Sequence, residues 1–115
     1  MPFTDSALNA AVDGIAAAGA YISAHTADPS TGGANEVTGG SYARQQTTWG
    51  SASSGDRVGS EVTIPIPAGT TVTHWGLWSA ASGGTFLGGF SLSASEVFGA
   101  AGTLKHTPTL DVDPA

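Results

Sequence analysis

Residues 71–92 constrain the fold more than any other stretch. Thr71-Val72-Thr73-His74-Trp75-Gly76-Leu77-Trp78 reads as one strand, Ala80 to Gly84 as a turn, and Thr85-Phe86-Leu87-Gly88-Gly89-Phe90-Ser91-Leu92 as the returning strand. β-Branched and aromatic residues suit a pleated, half-buried surface, and the glycine pair closing the turn completes a hairpin signal. Residues two apart on a strand share a face. Placing Trp78 opposite Phe86 therefore predicts Gly76 opposite Gly88, His74 opposite Phe90 and Val72 opposite Leu92, which gives one aromatic face. The other face pairs Leu77 with Leu87 and sets Trp75 across from Gly89, where a missing side chain leaves room for the indole. A strand pair apolar on both faces is central to a sandwich, or covers a core on one side and meets another molecule on the other.

The chain has 115 residues, enough for one domain with a modest core, so residues 1–115 are expected to form a single β-sandwich domain. Cysteine is absent, which excludes disulfides and thiolate metal sites. The net charge of -6, with Arg44, Arg57 and Lys105 as the only Lys or Arg residues, argues against nucleic acid as a partner. Charged residues are 10% of the chain, against roughly 25% in ordinary soluble domains. A surface built instead from Gly, Ser, Thr and Ala suits a subunit packed in an assembly. No apolar run approaches the roughly 20 residues that cross a bilayer, and no basic segment leads into an apolar one at the N-terminus. The expectation is a soluble, unprocessed protein without a membrane partner.

In chain order, a helix is predicted over residues 4–18. Thr4 or Asp5 caps it, Leu8, Val12, Ile15 and Ala16 form its apolar stripe, and Gly19 follows its last turn. Its alanines make it thin enough to lie close on a sheet or a neighbouring subunit. Tyr21 to Thr26 alternates as a strand, and Asp28-Pro29 ends it. Residues 29–40 read as a loop around the single apolar Val37, Ser41 to Trp49 regains β character, and Ser51 to Ser60 reads as an exposed connection. Val62, Ile64 and Ile66 face one way with Pro65 and Pro67 the other, which predicts an edge strand. Ser95 to Gly102 reads as a second loop, and Thr103 to Val112 as a last strand with Leu104, His106, Pro108, Leu110 and Val112 on one face. The fold class is mainly β: an antiparallel β-sandwich or small barrel of about six strands with one short N-terminal helix, organised around the 71–92 hairpin. No internal repeat of 20 to 50 residues is present.

Candidate chemistry is sparse. His25, His74 and His106 lie far apart, without the spacing of a metal pair, and read as histidines packed within sheets. No Gly-x-Ser-x-Gly elbow leads from strand to helix, so no catalytic residue is assigned. Asp28, Asn35 and Glu36 could gather oxygen ligands for calcium, but they match no ligand ladder, and a turn held by Asx side chains is the expected role. No metal or cofactor is implied. Trp49, Trp75 and Trp78 could form a sugar-stacking platform, although packing is expected to bury at least two of them and leave one for contact. Arg44, beside Tyr42 and Gln46, is either a solvated residue or an anchor for a partner. Trp49, Trp75, Trp78, Phe86, Phe90 and Arg44 are thus the candidate interface or core anchors.

The blocks Tyr21-Ile22-Ser23-Ala24-His25-Thr26-Ala27-Asp28-Pro29, Gly32 to Val37 and Gly40 to Gln45 resemble small virion proteins of tailed bacteriophages. Thr73 to Trp78 and Gly83 to Gly89 belong to the same resemblance, which spans nearly the whole chain. Met1-Pro2 and the alanine-rich helix look like a common start for that family, whereas the acidic end, residues 111–115, is less diagnostic. Such proteins carry labels such as tail fibre, minor tail or minor capsid protein, and the resemblance implies a non-enzymatic structural role on the exterior of capsid or tail. A fibre shaft needs repeats or a coiled coil, and this chain has neither. The leading expectation is therefore a minor capsid or decoration protein bound to the major capsid protein, with a tail-fibre or minor tail protein as the alternative. A homo-oligomer is expected in either place. A host-surface glycan is a further possible partner.

Overall fold

The computed structural model describes residues 3–112, which form the helix α1 (Asp5–Ala18) and eight strands. Met1, Pro2 and residues 113–115, the last three of the acidic end, lie outside the described residues. The strands are β1 (Tyr21–His25), β2 (Gln45–Gln46), β3 (Asp56–Val58), β4 (Val62–Ile66), β5 (Thr70–Trp78), β6 (Phe86–Phe98), β7 (Gly102–His106) and β8 (Thr109–Asp111). They build a four-stranded antiparallel sheet in the order β2-β1-β5-β6 and two antiparallel ribbons, β3-β8 and β4-β7. The mainly β class with one N-terminal helix is as expected from the sequence.

Helix α1 starts where Thr4 caps it, its hydroxyl accepting from Ala7 N–H, and stops where Gly19 takes an extended backbone. Leu8 and Val12 are its buried residues. The core lies on one face of the large sheet. Ile22 opposes Leu77 and Ala24 opposes Trp75 across the β1–β5 ladder, and all four are buried. Val62, Ile64, Ile66 and Leu104 join that core from the β4-β7 ribbon, Val12 from α1 and Leu110 from β8. Each fully buried Ile or Leu contributes roughly 1.5–3 kcal/mol relative to exposure. Trp75 ties the layers together, with its ring 4.5 Å from that of Phe90 and 4.9 Å from that of His106.

Four sequence expectations change. Trp78 opposes Phe86 as expected, but the next pair is Leu77 with Gly88, so Leu87 is the extra residue of a bulge and the pairs from Leu77 to His74 move by one, while a second register shift between Ser91 and Glu96 moves the partner of Val72 by four. Trp75 therefore faces Phe90 rather than Gly89, Gly76 faces Gly89, and His74 faces Ser91. The returning strand does not stop at Leu92 but runs to Phe98 in place of the expected 95–102 loop, and Val72 pairs with Glu96. Leu92 to Ser95 have no register partner on β5, and the ladder resumes from Glu96 to Phe98 against Val72 to Thr70. The 51–60 connection contains β3, which pairs with β8 after a turn made by Ser54 and Gly55 at φ of 50° and 86°. Finally, the stretch 103–112 is two strands, because Pro108 lacks the N–H that a continuous ladder requires.

Candidate functional site: a closed polar cluster and an open strand edge

The face of the large sheet opposite the core carries Tyr21, Ser23 and His25 of β1 against Trp78, Gly76 and His74 of β5. The segment after β1 folds back over this face. Asp28 Oδ1 accepts from Ser30 N–H, Asn35 donates to the Asp28 carbonyl, and Glu36 bridges back to His25, so the loop is pinned at both ends. Pro29 sits against Gly89, and Gly33, at φ 76°, lies against the Trp78 ring, so a Cβ at either glycine would overlap its neighbour. Asp28 and Asn35 thus fold the turn, while the Glu36 carboxylate turns elsewhere.

That carboxylate meets Arg44 as a fork: Nε donates to Oε2 and Nη2 to Oε1, each at 2.9 Å. The Arg44 Nη1 donates to the carbonyls of Ala80 and Gly83 at 3.1 and 2.9 Å, and the guanidinium lies 3.6 Å above the Trp78 ring. Tyr42 donates its hydroxyl to Glu36 at 2.6 Å and accepts from Ala24 N–H. Burial pushes the Glu36 pKa up, but the bonds from Arg44 and Tyr42 more than reverse this and hold it below its ordinary value. Burial and the Glu36 bond push the Tyr42 phenol up, so it remains a donor. The sequence left Arg44 between a solvated residue and a partner anchor. Its side chain is 8% exposed and ties the 36–44 loop to the β5–β6 turn. An open cleft of about 450 Å³ lies beside it, lined by Glu36, Tyr42, Arg44 and Gly83 among others.

Beneath the loop a hydrogen-bonded chain runs through the sheet. Trp78 Nε1–H donates to Ser23 Oγ at 2.9 Å, Ser23 Oγ lies 2.7 Å from His25 Nε2, and His25 Nδ1 lies 2.8 Å from the Ala34 carbonyl. A carbonyl only accepts, so Nδ1 carries the imidazole proton and Nε2 accepts from Ser23. The spacing matches a nucleophile and its base. Both side chains are 0% exposed, however, and both imidazole nitrogens are engaged, so no substrate reaches them. Burial lowers the His25 pKa, with the Ala34 bond and Glu36 opposing this in part. His74 bonds Thr73 within its own strand, and His106 keeps its Nε2 buried against the core without a hydrogen-bond partner. The histidines thus sit within sheets, as expected from their spacing.

Trp75 is buried, while Trp49 and Trp78 are half-buried with their N–H groups donated to Gly19 and Ser23. Phe86 packs edge-on against Trp78, its centroid 5.1 Å away. Phe90 is 37% exposed on the side of the sheet facing α1. It lines an apolar slot of about 200 Å³ with Ile15, Leu87, Gly88 and Leu110. This slot adjoins β6, which is the outer strand of the sheet and is exposed along Ser93 to Val97. The sequence did not bring together Glu36 and Arg44, which lie eight residues apart on an irregular segment and show no periodicity. It did carry a signal for the open edge, in the absence of Pro and Lys over residues 86–98.

No curated protein matches the chain. The family described as Podophage GP4 fiber I protein gp80 matches residues 4–111, from the cap of α1 to the last residue of β8. Since that match takes in the helix, both ribbons, the Arg44 cluster and the open strand, the chain belongs to this family of bacteriophage fibre structural proteins.

Proposed function

We propose that the chain is a non-catalytic subunit of a phage tail fibre, carried on the exterior of the virion and joined there to tail proteins and to further copies of itself. The observation that carries this reading is the family match over residues 4–111. It favours the tail-fibre alternative over the shell-bound decoration protein that the absence of repeats pointed to. Length in a fibre need not come from one chain. A domain of 46 × 26 × 24 Å adds length when copies or different subunits are joined, so the lack of a repeat within the chain is no obstacle. The buried Ser23–His25 pair supports a structural role, since its geometry serves the interior of the sheet.

Imaging virions that carry a tagged copy of the chain tests the proposal. The tag is expected at the tail fibres, in a number set by the fibre symmetry. A tag distributed over the faces of the capsid would overturn the reading and restore the decoration protein.

A further inference from the structure

Between β1 and Glu36 the chain makes a tip, residues 27–34, that lies over the aromatic end of the large sheet. The tip is held together by its own bonds. Gly33 and Ala34 N–H donate to the Pro29 carbonyl, Ser30 N–H donates to Asp28 Oδ1, and the Asn35 side chain donates to the Asp28 carbonyl. It can therefore move as one piece. Its grip on the sheet is small by comparison: Pro29 is its one buried residue, seated against Gly89, and Gly33 lies on the Trp78 and Phe86 rings. Among the described residues, the bond between His25 Nδ1 and the Ala34 carbonyl is the only one from the tip to a side chain of the sheet. The base of the loop is fastened separately. Thr26 N–H donates to the Asn35 carbonyl, Val37 N–H to the Ala24 carbonyl, and Glu36 is forked by Arg44.

We propose that the tip 27–34 is an acid-released cover, closed over Trp78 and Phe86 while His25 is neutral and lifted from them when His25 takes up a proton. The argument is a count of protons along the buried chain. With His25 neutral, Ser23 accepts from Trp78 Nε1–H and donates to His25 Nε2, while Nδ1–H donates to Ala34, so every group is satisfied. A proton on Nε2 points at Ser23 Oγ from 2.7 Å and turns the hydroxyl proton away from its acceptor. Ser23 Oγ has no other hydrogen bond among the described residues. The space beside it is closed as well, since a Cβ on Gly76 would stand 2.6 Å from Ser23 Oγ and 2.9 Å from the Phe86 ring. A buried donor without an acceptor and a buried charge without water are both costly.

The groups around His25 do not remove that cost. Burial disfavours the charged ring; the Ala34 bond and Glu36 favour it, and Arg44 and His74 oppose it. The Glu36 carboxylate is already committed to Arg44 and Tyr42, and His74 stands directly opposite His25 on β5. Lifting the tip gives up one hydrogen bond and the seats of Pro29 and Gly33, and lets water reach the ring. The open form then takes up a proton near the ordinary value of 6.5, whereas the closed form holds His25 below it. Falling pH therefore shifts the population toward the open form, by up to about tenfold per pH unit. Glu36 is held below 4.5, so its pair with Arg44 keeps the base of the loop in place through this window.

The cover does not depend on where the subunit sits on the virion, and its test uses the full chain in solution. In a Trp49→Phe background the remaining indoles are Trp75, which is buried in the core, and Trp78. The acrylamide quenching constant of that protein is expected to rise at least threefold from pH 7.5 to 5 with the far-UV circular dichroism unchanged. The midpoint of the rise is expected to coincide with the titration of the His25 ring followed by NMR in the unmodified protein. His25→Gln in the same background should give quenching that does not vary with pH, and His106→Gln should keep the response. Quenching that stays flat, that rises only as circular dichroism is lost, or that follows the His74 or His106 ring would overturn the proposal. So would a pH response that survives His25→Gln; should that variant not fold, the ring titration of the unmodified chain decides.

Discussion

The two halves of β6 are finished in opposite ways. From Phe86 to Ser91 the strand belongs to a region where the chain has closed itself: Pro29 and Gly33 cover the sheet, Trp78 is capped by Arg44, and the Arg44 donors go to Glu36 and two carbonyls. From Ser93 to Val97 the strand is exposed, Val97 at 76%, and among the described residues no strand pairs with its outer edge. Buried polar groups are costly unless paired, so the closed half needs a long loop with an internal ion pair. The open half has no such loop, which is economical only if another molecule supplies the missing edge. Substitutions in the closed half should therefore change stability, and those in the open half association.

The largest effect is expected at Arg44. Arg44→Ala removes the fork to Glu36, two bonds to carbonyls and the contact with Trp78, and leaves the Glu36 carboxylate with Tyr42 alone. Breaking a buried pair from one side costs about 3–5 kcal/mol, which a urea titration reads as a lower midpoint. Arg57→Ala provides the contrast. Its pair with Asp13 has side chains 21% and 56% exposed, and an exposed pair contributes only about 0–1 kcal/mol. Equal losses for the two variants would show that the Arg44 end is not a closed unit.

Next come the glycines. A Cβ on Gly76 would stand 2.6 Å from Ser23 Oγ and 2.8 Å from His25 Nε2, inside the buried chain of hydrogen bonds. Gly76→Ala is expected to cost about 1–3 kcal/mol through overpacking. Gly88→Ala places its Cβ at ordinary contact with Phe90, 3.4 Å away, and should be near neutral in the isolated protein. Paired denaturation curves decide the matter, and a harmless Gly76→Ala would contradict the packing described for the loop-covered face.

How much of this was legible follows from which forces set each part. Leu8, Val12 and Ile15, with Thr4 before them and Gly19 after, fix the helix by local rules alone. The residue types of the 71–92 hairpin announce two strands, and Trp78 opposite Phe86 was within reach. The bulge at Leu87 was not, because it depends on packing beside α1 and the neighbouring strands rather than on alternation. β3 escaped for a related reason: Asp56, Arg57 and Val58 are held by backbone pairing with β8 and by the docking of α1, where Asn9 accepts from Gly55 N–H. At the cluster, Glu36 looked like a loop carboxylate and Arg44 like a surface cation. Only the return of the loop over Trp78 makes them partners.

A smaller effect is expected from pH. Burial holds the imidazoles of His25 and His106 below the ordinary value of 6.5, so the folded protein favours their neutral forms. As pH falls through about 6.5 the unfolded chain takes up protons that the folded chain refuses, and stability falls with it. Glu36, held below its ordinary 4.5, adds a second loss as pH falls below that value, since the unfolded carboxylate protonates first. Above both windows these contributions are fully present. Urea midpoints from pH 7.5 to 4 are expected to decline in two stages. His25→Gln should flatten the upper one, and an unchanged upper stage in that variant would remove His25 from the account.

The smallest effect on stability is expected at Val97, where the change in association should be largest. Val97 is exposed, and Lys is the residue with which strand edges are commonly guarded. Val97→Lys should leave the urea midpoint of dilute protein within about 0.5 kcal/mol of the original, as for surface changes away from packed features. A lysine there would lose hydration as any further strand closed on this edge. Self-association through this edge should weaken at least tenfold in sedimentation. Lys introduced at Thr63, exposed on the β4-β7 ribbon, should leave association unchanged, since that ribbon is separate from the β6 edge. A loss of folding stability at Val97 with association unchanged would reverse the comparison and make the second half of β6 part of the closed fold.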